Sequence, residues 1–435
     1  MNKIYSMKCV AQNYAWGKQG QESLVAKLWS LNNNKEITNN KEPFAEFWMG
    51  DHPNGPSKIM DSNSKEIEFE EWIEKNKEKT GEEILEFNES RNNPKNQLPF
   101  LFKVLSINKT LSIQAHPDRE LAQKLHKNYP DIYKDPNHKP ELAIAISGLE
   151  AIMGFKPLQQ INQNIQKFSY LQNVIDGNAA NQFSTVINDP NSDENQKSQV
   201  LKLVFSSLLN CSDEIIKNQL ENMKKEIESK IEKGIEISDE EKLAIKLNTQ
   251  FPNDSGAFLA FFMNHLFLQK GECVFIKENI CHAYISGDII ECMARSDNVV
   301  RAGLTPKFQD KKTLIEMLDY SPSQNSKIQK PKQIDSFVSS FEPSFEEFIV
   351  HQISVPKNQL YSYRQNQNLS ILLVLFGSAN ISLSEKIDSN HDLSFFKIKQ
   401  GDVFLIPAKT QINFQTEQES ITCYSVTLGN KREKI

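Results

Sequence analysis

The stretch "GECVFIKENICHAYISGDIIECMA", residues 271–294, indicates the kind of fold that this sequence specifies. A glycine and an acidic residue precede a short apolar run, a polar loop follows, and a second run rich in β-branched and apolar residues comes next. This order is typical of two strands joined by a loop. The stretch "GDVFLIPAKTQINF", residues 401–414, begins in the same way. The repeated glycine–acid turn suggests one hairpin used twice, as in a tandem β-barrel.

Helical spacing replaces the strand pattern in the middle of the chain. Residues 212–234, "SDEIIKNQLENMKKEIESKIEKG", have helical periodicity with a dense charged face, and Gly234 is expected to end this helix. Ser238 and Glu241 have the spacing of a capping box, which marks the start of another helix. We therefore expect a helical segment over residues 156–265.

The fold predicted from these patterns is mainly β with a helical insertion. Two β-domains are expected, the first discontinuous over residues 1–155 and 266–320 and the second over residues 321–435. Residues 156–265 form the helical insertion domain between them. The stretch 321–340 is polar with scattered prolines, and we interpret it as the linker between the two barrels.

Composition and charge exclude several classes of protein. The 435 residues include 50 Lys and Arg against 56 Asp and Glu, so a formal charge of −6 gives no electrostatic case for nucleic acid or an anionic membrane. The first residues contain no apolar segment of the signal-peptide type, and the run "FLAFFMNHLFL" at 258–268 is too short to span a bilayer. Six cysteines without a CxxC motif are typical of reduced thiols in the cytosol. We therefore expect a soluble cytoplasmic protein.

Four residues could together bind a metal ion. Gln114 and His116 lie two apart in a strand-like run, so their side chains project to the same side. His282 follows a loop and opens a strand, and Glu141 is placed by the stiff Pro140 before it. These side chains offer two nitrogen and two oxygen ligands for Zn²⁺, with an open position for water or substrate. The alternative for Gln114 and His116 is an edge strand whose polar face is in water.

Other histidines are expected to have no ligand role. We expect His126, His351 and His391 at the surface. His52 is expected to be structural, as is His265 in an apolar helix. Beyond the histidines, several basic residues lie in apolar or turn-rich stretches where they could hold an anion: Lys103, Lys139, Arg301 and Lys307. Arg301 stands out, because apolar residues precede it and small residues follow it.

Glu291 is an acidic residue inside an apolar strand. Such a position is one where the pKa of a carboxyl group can be tuned for proton transfer. The alternative interpretation is a buried salt bridge, with Arg295 four residues further on as the partner.

Several strings resemble the type I mannose-6-phosphate isomerases, also called phosphomannose isomerases: "YAWG", "AEFWMG", "LPFLFKVLSINKTLSIQAHPD", "HKPE", "CHAYISGD" and "GDIIECMARSDNVVRAGLTPKF". The resemblance runs in order from about residue 5 to residue 320. It implies tandem cupin-type (jelly-roll) β-barrels with an α-helical insertion, the second barrel being degenerate. It also implies one zinc ion per chain, and we expect the chain to be a monomer. Its reaction would interconvert the sugar phosphates D-mannose 6-phosphate and D-fructose 6-phosphate and so feed mannose into GDP-mannose and glycosylation precursors.

The same resemblance assigns the zinc ligands. The family's ligands fall on four residues of this sequence: Gln114, His116, Glu141 and His282. The second barrel differs at the corresponding place. Eleven residues after Gly271 comes His282, whereas eleven residues after Gly401 comes Ile412. We therefore expect no metal in the second barrel.

Roles in catalysis follow from the resemblance in the same way. The family's active-site arginine falls on Arg301, which we expect to stabilise the enediolate. Glu291 is expected to be the general base, with Lys139 and His138 as rivals for that role or for ring opening. Further residues are expected around the substrate: Lys103 and Ser112 at the phosphate, and Tyr284, Asp297 and Lys307 around the sugar.

Other chemistries have little support in the sequence. It contains no GxGxxG, GxxxxGK[ST], GxSxG or HExxH string, so dinucleotide binding, nucleotide binding and common hydrolase activities lack a local motif. Two alternatives remain open at this point. One is a cupin that binds a sugar phosphate or a metal without catalysis. The other is a cupin oxidoreductase that uses Fe(II), because the affinities of such ligand sets for different metals overlap.

Overall fold

The computed structural model describes residues 3–61, 63–321, 327–364, 367–383 and 395–429. Within these ranges the helices are α1 (Leu24–Asn33), α2 (Phe69–Lys75), α3 (Lys77–Thr80), α4 (Glu82–Ser90), α5 (Arg119–Asn128), α6 (Leu158–Lys167), α7 (Ser169–Gln172), α8 (Gly177–Asn188), α9 (Glu194–Leu209), α10 (Asp213–Glu232), α11 (Asp239–Gln250) and α12 (Lys311–Met317), with 3-10 turns at Gly20–Glu22 and Ser255–Phe261.

The strands in the same ranges are β1 (Tyr5–Lys8), β2 (Val10–Gln12), β3 (Lys18–Gln19), β4 (Pro43–Phe44), β5 (Glu46–Met49), β6 (Lys58–Met60), β7 (Glu66–Ile67), β8 (Phe100–Ile107), β9 (Ile113–Ala115), β10 (Glu141–Phe155), β11 (Met263–Leu268), β12 (Cys273–Ile276), β13 (His282–Ala294), β14 (Val300–Gly303), β15 (Lys332–Gln333), β16 (Val338–Phe341), β17 (Ile349–Val355), β18 (Leu360–Arg364), β19 (Ser370–Ser382), β20 (Phe396–Lys399), β21 (Val403–Ile406), β22 (Gln411–Gln415) and β23 (Ile421–Thr427). The expected sheet-rich fold with a helical insertion is confirmed.

The first large sheet carries the residues of interest. Its strands follow the order β11-β10-β13-β8-β5-β2, and the short strand β9 pairs with both β13 and β14 beside this path. All of these pairings are antiparallel. Gln114 at the centre of β9 lies opposite His282 on one side and opposite Arg301 on the other. Three positions that are distant in the sequence are thereby neighbours in one row of the sheet.

The second large sheet combines both ends of the chain. Its main path is β15-β16-β17-β23-β19-β21-β1-β6-β7. Strand β1 pairs with β21, with Tyr5 opposite Leu405. Residues 1–155, which we expect in the first β-domain, therefore contribute β1, β6 and β7 to the second sheet. The prediction of a linker over 321–340 is partly wrong. Strand β15 lies within this stretch, β16 begins in it, and the two strands pair with each other.

The repeated hairpin start is visible in the backbone. Gly271 and Gly401 have φ angles of 86° and 90°, which glycine adopts without the steric cost that other residues incur. The acid that follows each glycine accepts a backbone hydrogen bond at 2.8 Å, Glu272 from Gln269 and Asp402 from Lys399. A four-residue strand, β12 or β21, follows in both cases. The sequence repeat is therefore a structural repeat of the turn.

The helical segment largely follows the sequence pattern. Helices α6 to α11 lie between Leu158 and Gln250, and Ser238 and Glu241 form the expected capping box. The prediction is wrong at its end, because β11 is a strand and His265 pairs with Ile152. A short apolar run does not distinguish a strand from a buried helix by periodicity alone. No helix in the described ranges has the length and apolar character needed to cross a membrane.

Strand β13 separates the helical layer from the other face of the sheet. Ala283 and Ile285 are fully buried in an apolar cluster with helical residues such as Phe205. His282 and Tyr284 alternate with them and so point to the opposite face. One strand therefore anchors the helical insertion with one set of side chains and presents a second set to the site.

Candidate active site

Three buried side chains converge at the ends of strands β9, β10 and β13. His116, Glu141 and His282 each offer a ligand atom, and these atoms lie within 4.8 Å of one another. The Nε2 atom of His116 is 3.3 Å from Glu141 Oε1, and the Nε2 atom of His282 is 3.4 Å from Glu141 Oε2. Each side chain is at most 2% exposed. A buried carboxylate between two imidazoles is an arrangement that a metal ion would complete.

Hydrogen bonds fix the two histidine rings in the state that metal binding requires. His116 Nδ1 is 2.6 Å from the carbonyl oxygen of Asn298, and His282 Nδ1 is 2.9 Å from that of Ile280. Because a carbonyl only accepts, each Nδ1 carries the proton and each Nε2 keeps its lone pair. Burial lowers the pKa of His116 to about 4, which keeps this ring neutral near pH 7.

The atoms that would bind the metal have no hydrogen-bond partner of their own. Among the described residues, His116 Nε2, His282 Nε2 and Glu141 Oε2 are buried without a hydrogen-bond partner. Buried polar atoms without a partner are uncommon in folded proteins. These three residues therefore fit a bound Zn²⁺, for which imidazole nitrogen and carboxylate oxygen are usual ligands.

Gln114 lies beside this group. Strand β9 is enclosed by β13 and β14, so the alternative of an exposed edge strand is wrong for it. Gln114 and Ser112 line the same cavity as Glu141. Gln114 thus faces the cavity that Glu141 also lines, and its role as a neutral fourth ligand stays a prediction.

The cavity next to this group has a volume of about 490 Å³. Most of the residues expected at the site line it: Lys103, Ser112, Gln114, Lys139, Glu141, Tyr284, Glu291, Asp297, Arg301 and Lys307. Its volume lies in the range of ordinary small-molecule sites. The structure therefore assembles these sequence-distant residues around one space.

Lys103 lies between two carboxylates inside the cavity. Its Nζ is 3.1 Å from both Glu46 and Glu291, and its ammonium also lies over the ring of Trp48. Burial alone would lower the pKa of Lys103, but the two carboxylates outweigh burial and raise it. The salt bridge expected as the alternative for Glu291 exists with this partner rather than with Arg295, which binds Asp51.

This pairing affects the expected phosphate contact. Two carboxylates already flank the ammonium of Lys103, and its contact with phosphate stays a prediction. Other cations that line the cavity have no carboxylate within 4.0 Å in the described part of the chain: Lys109, Arg301 and Lys307. Arg301 is half-buried, and burial lowers its pKa. These three cations are therefore further candidates for binding an anionic ligand.

Burial also sets the state of Glu291. The side chain is 6% exposed, and this burial raises the pKa of the carboxyl group, an effect that Lys103 partly offsets. The pKa of a carboxyl group that works as a base near neutral pH has to be raised in this direction.

Two further expected residues contribute polar groups. The Tyr284 hydroxyl is buried without a hydrogen-bond partner among the described residues, and burial together with Glu141 and Glu291 raises its pKa. Asp297 receives hydrogen bonds from His52, 3.3 Å away, and from the Asn54 amide at 3.0 Å. Burial opposes ionisation of Asp297, but the His52 ring outweighs it and lowers the pKa. Asp297 therefore remains a carboxylate that can accept hydroxyl groups of a ligand.

Comparison with known proteins identifies the family. The model of the phosphomannose isomerase type I catalytic domain matches residues 4–158, and that of the type I helical insertion domain matches residues 174–263. Mannose-6-phosphate isomerase 1 of Arabidopsis thaliana is 36% identical over 418 residues, which cover 96% of this chain and 92% of that protein. The Bos taurus mannose-6-phosphate isomerase is 36% identical, with 95% of each chain covered.

The chain belongs to the type I phosphomannose isomerases. It is therefore an enzyme of an isomerase family, which argues against both a binding protein without activity and an Fe(II) oxidoreductase.

Solved structures of phosphomannose isomerases resemble the whole chain. A crystal structure of a variant from Salmonella typhimurium is 27% identical, with a TM-score of 0.77, and covers 98% of this chain and 100% of its own. A crystal structure of mannose 6-phosphate isomerase bound with zinc and yttrium is 26% identical, with the same TM-score and coverage. The likeness thus includes the helical layer and both large sheets.

Sequence reasoning missed several residues of this phosphomannose isomerase cavity. Glu46 and Trp48 line it, and the Trp48 indole donates to Glu46 at 2.7 Å. The signal for Glu46 was present, because it is an acid in an apolar strand just as Glu291 is. Tyr14 and Trp16 stack at 6.0 Å at the cavity wall, inside the string "YAWG" that carried part of the family resemblance.

His138 is not among the residues that line the cavity, and its catalytic role stays a prediction. Its Nδ1 contacts Glu278, and its Nε2 lies 2.5 Å from Glu347 and 2.6 Å from Arg119. Lys139, the next residue, lies in the cavity with its Nζ 3.7 Å from Glu141. Because consecutive residues of an extended chain point in opposite directions, only one of the two can face the site. His138 instead bridges the loop before β13 to the segment before β17.

The His138 cluster predicts a pH-dependent contribution to stability. Burial would lower the pKa of His138, but Glu278 and Glu347 outweigh it and raise the pKa. A raised histidine pKa stabilises the fold fully below the unfolded value of about 6.5, and this stabilisation is lost as pH rises through the folded value. His138→Gln is therefore expected to lower the urea-unfolding free energy more at pH 6 than at pH 9. An equal loss at both pH values would contradict the assignment.

The remaining histidines differ in part from expectation. His52 is buried and structural, through its contact with Asp297. The prediction that His351 lies at the surface is wrong. This residue is in β17, which pairs with a strand on each side, and its ring contacts the Tyr363 hydroxyl at 2.9 Å. His126 is only partly exposed on α5, where its ring contacts the carbonyl of Tyr133. His391 lies outside the described residues.

Proposed function

We propose that this chain interconverts D-mannose 6-phosphate and D-fructose 6-phosphate with one zinc ion per chain. The observation that carries the proposal is that two buried imidazoles with unsatisfied nitrogens lie against Glu141, a carboxylate that lines the cavity. The same cavity holds cations that have no carboxylate within 4.0 Å in the described ranges. A ligand with reactive oxygens at one end and a phosphate at the other fits this division of charge.

His116, Glu141 and His282, with the Gln114 amide oxygen, would hold the zinc. When bound there, zinc supplies a Lewis acid that polarises the carbonyl or orients the adjacent hydroxyl of the sugar. Glu141 is the one charged ligand among these four residues, so the site would keep a net positive charge. The Lys139 ammonium near Glu141 favours the carboxylate form that this ligand needs.

Proton transfer is assigned to Glu291. As the base, its carboxylate would take the proton from C2 of the aldose and return it to C1, which converts the aldose to the ketose through an enediol. Lys103, 3.1 Å away, holds the carboxylate in position. Lys139 and Tyr284 line the same cavity and are the candidates for opening the sugar ring or for moving the hydroxyl proton.

Substrate binding is divided between the two ends of the cavity. Arg301 lies opposite Gln114 in the sheet, so its guanidinium is assigned to the negative charge that develops on the enediolate oxygens. Ser112 and Lys307 are assigned to the phosphate, whose binding energy would orient the reacting carbons. Asp297 is assigned to the sugar hydroxyls. Lys103 is assigned to positioning the Glu291 carboxylate rather than to binding the phosphate.

Several broader features belong to the same proposal. The two β-domains, residues 1–155 with 266–320 and residues 321–435, would be jelly-roll barrels of the cupin type, and the first would hold the zinc. Strands β1, β6 and β7 extend the sheet of the second. In the second, Ile412 is a fully buried apolar residue in the position compared with His282. We further propose a cytoplasmic monomer that supplies GDP-mannose and glycosylation precursors.

Chelation tests substrate and cofactor together. Purified protein is expected to convert mannose 6-phosphate to fructose 6-phosphate, to lose this activity with a chelator, and to regain it when zinc is added. Fructose 6-phosphate is measured with a coupled assay, and zinc by elemental analysis. Binding of the sugar phosphate without conversion would overturn the proposal, as would recovery only with Fe(II) accompanied by oxygen uptake.

A further inference from the structure

The helical insertion reaches the cavity at one place. Helix α11 ends at Gln250, and Phe251, the next residue, lines the cavity. The facing segment of the first sheet is the loop between β8 and β9, of which Lys109, Thr110 and Ser112 line the same cavity. This is where helical and sheet residues share the cavity wall.

Two contacts hold the β8–β9 loop against the insertion. Lys109 Nζ lies 4.3 Å from the centroid of the Phe251 ring, within the range of a cation–π interaction. The Thr110 backbone N–H donates to the Gln250 side-chain oxygen at 2.8 Å. On its other side the loop is tied to the chain near the N-terminus, because the Lys109 backbone N–H donates to the Trp16 carbonyl at 3.0 Å.

Lys109 is free to bind an anion. No carboxylate of the described residues lies within 4.0 Å of its ammonium, in contrast to Lys103. The side chain is half-buried, and an aromatic face reduces the hydration of a cation without neutralising its charge. A cation that is held in place and only partly hydrated loses little entropy when a ligand arrives.

We infer that Lys109 forms part of the phosphate-binding end of the cavity and that the helical insertion holds it there through Phe251. This inference rests on the proposed sugar-phosphate substrate. It assigns a function to the insertion: its last helix and the following residue position a binding group on the first sheet. Lys109 is a binding residue, and Phe251 and Gln250 are positioning residues.

Lys109→Met tests the binding role. We expect KM for mannose 6-phosphate to rise about tenfold with kcat changed less than about twofold, because a contact to the non-reacting phosphate contributes to binding before the chemical step. The dissociation constant of inorganic phosphate, measured by calorimetry, should rise by a similar factor. Lys217→Met, an exposed residue of α10, makes the same change in net charge and serves as the matched control. Unchanged KM and phosphate affinity in Lys109→Met would overturn the inference.

Phe251→Leu tests the positioning role, because it keeps an apolar side chain but removes the ring. We expect KM to rise about threefold, which is a typical size for a partly exposed cation–π contact. Phe251→Leu combined with Lys109→Met should then be no worse than Lys109→Met alone, since Phe251 acts through Lys109. Additive effects in the double variant would overturn the positioning role.

The phosphate measurement separates the two proposals. If the wild-type protein shows no isomerase activity, the proposed function fails, while loss of inorganic phosphate binding in Lys109→Met still supports the anion site. If the wild-type protein is active and Lys109→Met binds phosphate and substrate as the wild type does, the inference about Lys109 fails and the proposed function stands.

Discussion

Glu291→Gln is expected to lower turnover by about three orders of magnitude while zinc stays bound, a loss within the range found for a general base. The amide keeps the shape of the side chain and a hydrogen-bond acceptor for Lys103, but it cannot take a proton. The side chain is 6% exposed, and burial raises its pKa, which is the direction that favours proton uptake near neutral pH. Steady-state kinetics and elemental analysis of zinc measure the two parts of this prediction.

Glu46→Gln is the matched control for this prediction. Glu46 is the second carboxylate 3.1 Å from Lys103, and its replacement changes the charge of the same buried cluster by the same amount. Charge balance alone would make the two variants equally defective. We expect Glu46→Gln to lose only about tenfold, the effect of about 1.4 kcal/mol on the barrier. Equal losses in the two variants, or more than a tenth of wild-type turnover in Glu291→Gln, would contradict the role of Glu291 as the base.

Glu141→Gln is expected to weaken zinc binding at least about a hundredfold, because it removes the one charged ligand of the set. Two neutral imidazoles and two amide oxygens would then face a divalent ion in a buried position, where an unbalanced charge is costly. Turnover should fall in parallel with zinc content at low zinc concentration. Competition with a chelating indicator measures the affinity. Recovery of most activity in excess zinc would show that the variant has lost affinity for zinc rather than the ability to catalyse the reaction.

Glu150→Gln makes the same substitution elsewhere on strand β10. The Glu150 carboxylate is partly buried and paired with Lys246 and His265, outside the cavity. Burial opposes its ionisation, but His265 and Lys246 outweigh this and lower its pKa to about 2. Its replacement should reduce stability while zinc affinity and kcat stay at wild-type values. Weakened zinc binding in Glu150→Gln would mean that the effect of Glu141→Gln reflects damage to the strand.

The sequence was most informative where local periodicity carried the information. The two-residue spacing of Gln114 and His116 predicted a shared face, and in the fold Gln114 lines the cavity while His116 contacts Glu141, which lines it too. The glycine–acid repeat at Gly271 and Gly401 predicted the same turn twice, and both glycines have nearly equal positive φ angles. Alternation and turn chemistry depend on neighbouring residues alone, so they can be read without the tertiary structure.

It was least informative where partners are far apart in the sequence. Arg295 was the nearest basic candidate for Glu291 along the chain, yet the actual partner is Lys103 on β8. His138 and Lys139 belong to one resemblance string, yet one joins Glu347 and the other faces Glu141. Such choices depend on strand register and on which surfaces pack together, and neither is encoded within a short window.

The sequence by itself determined the type of most local elements and, through its resemblance to a family, the proposed zinc ligands and the reaction to be tested. Only the tertiary structure decided which charges are free and which are neutralised. Lys103 and Arg301 looked alike as isolated cations, but Lys103 is held between two carboxylates and Arg301 has none within 4.0 Å in the described ranges. The physical reason is that a charge acts through the groups within a few ångströms of it, and only folding brings those groups together.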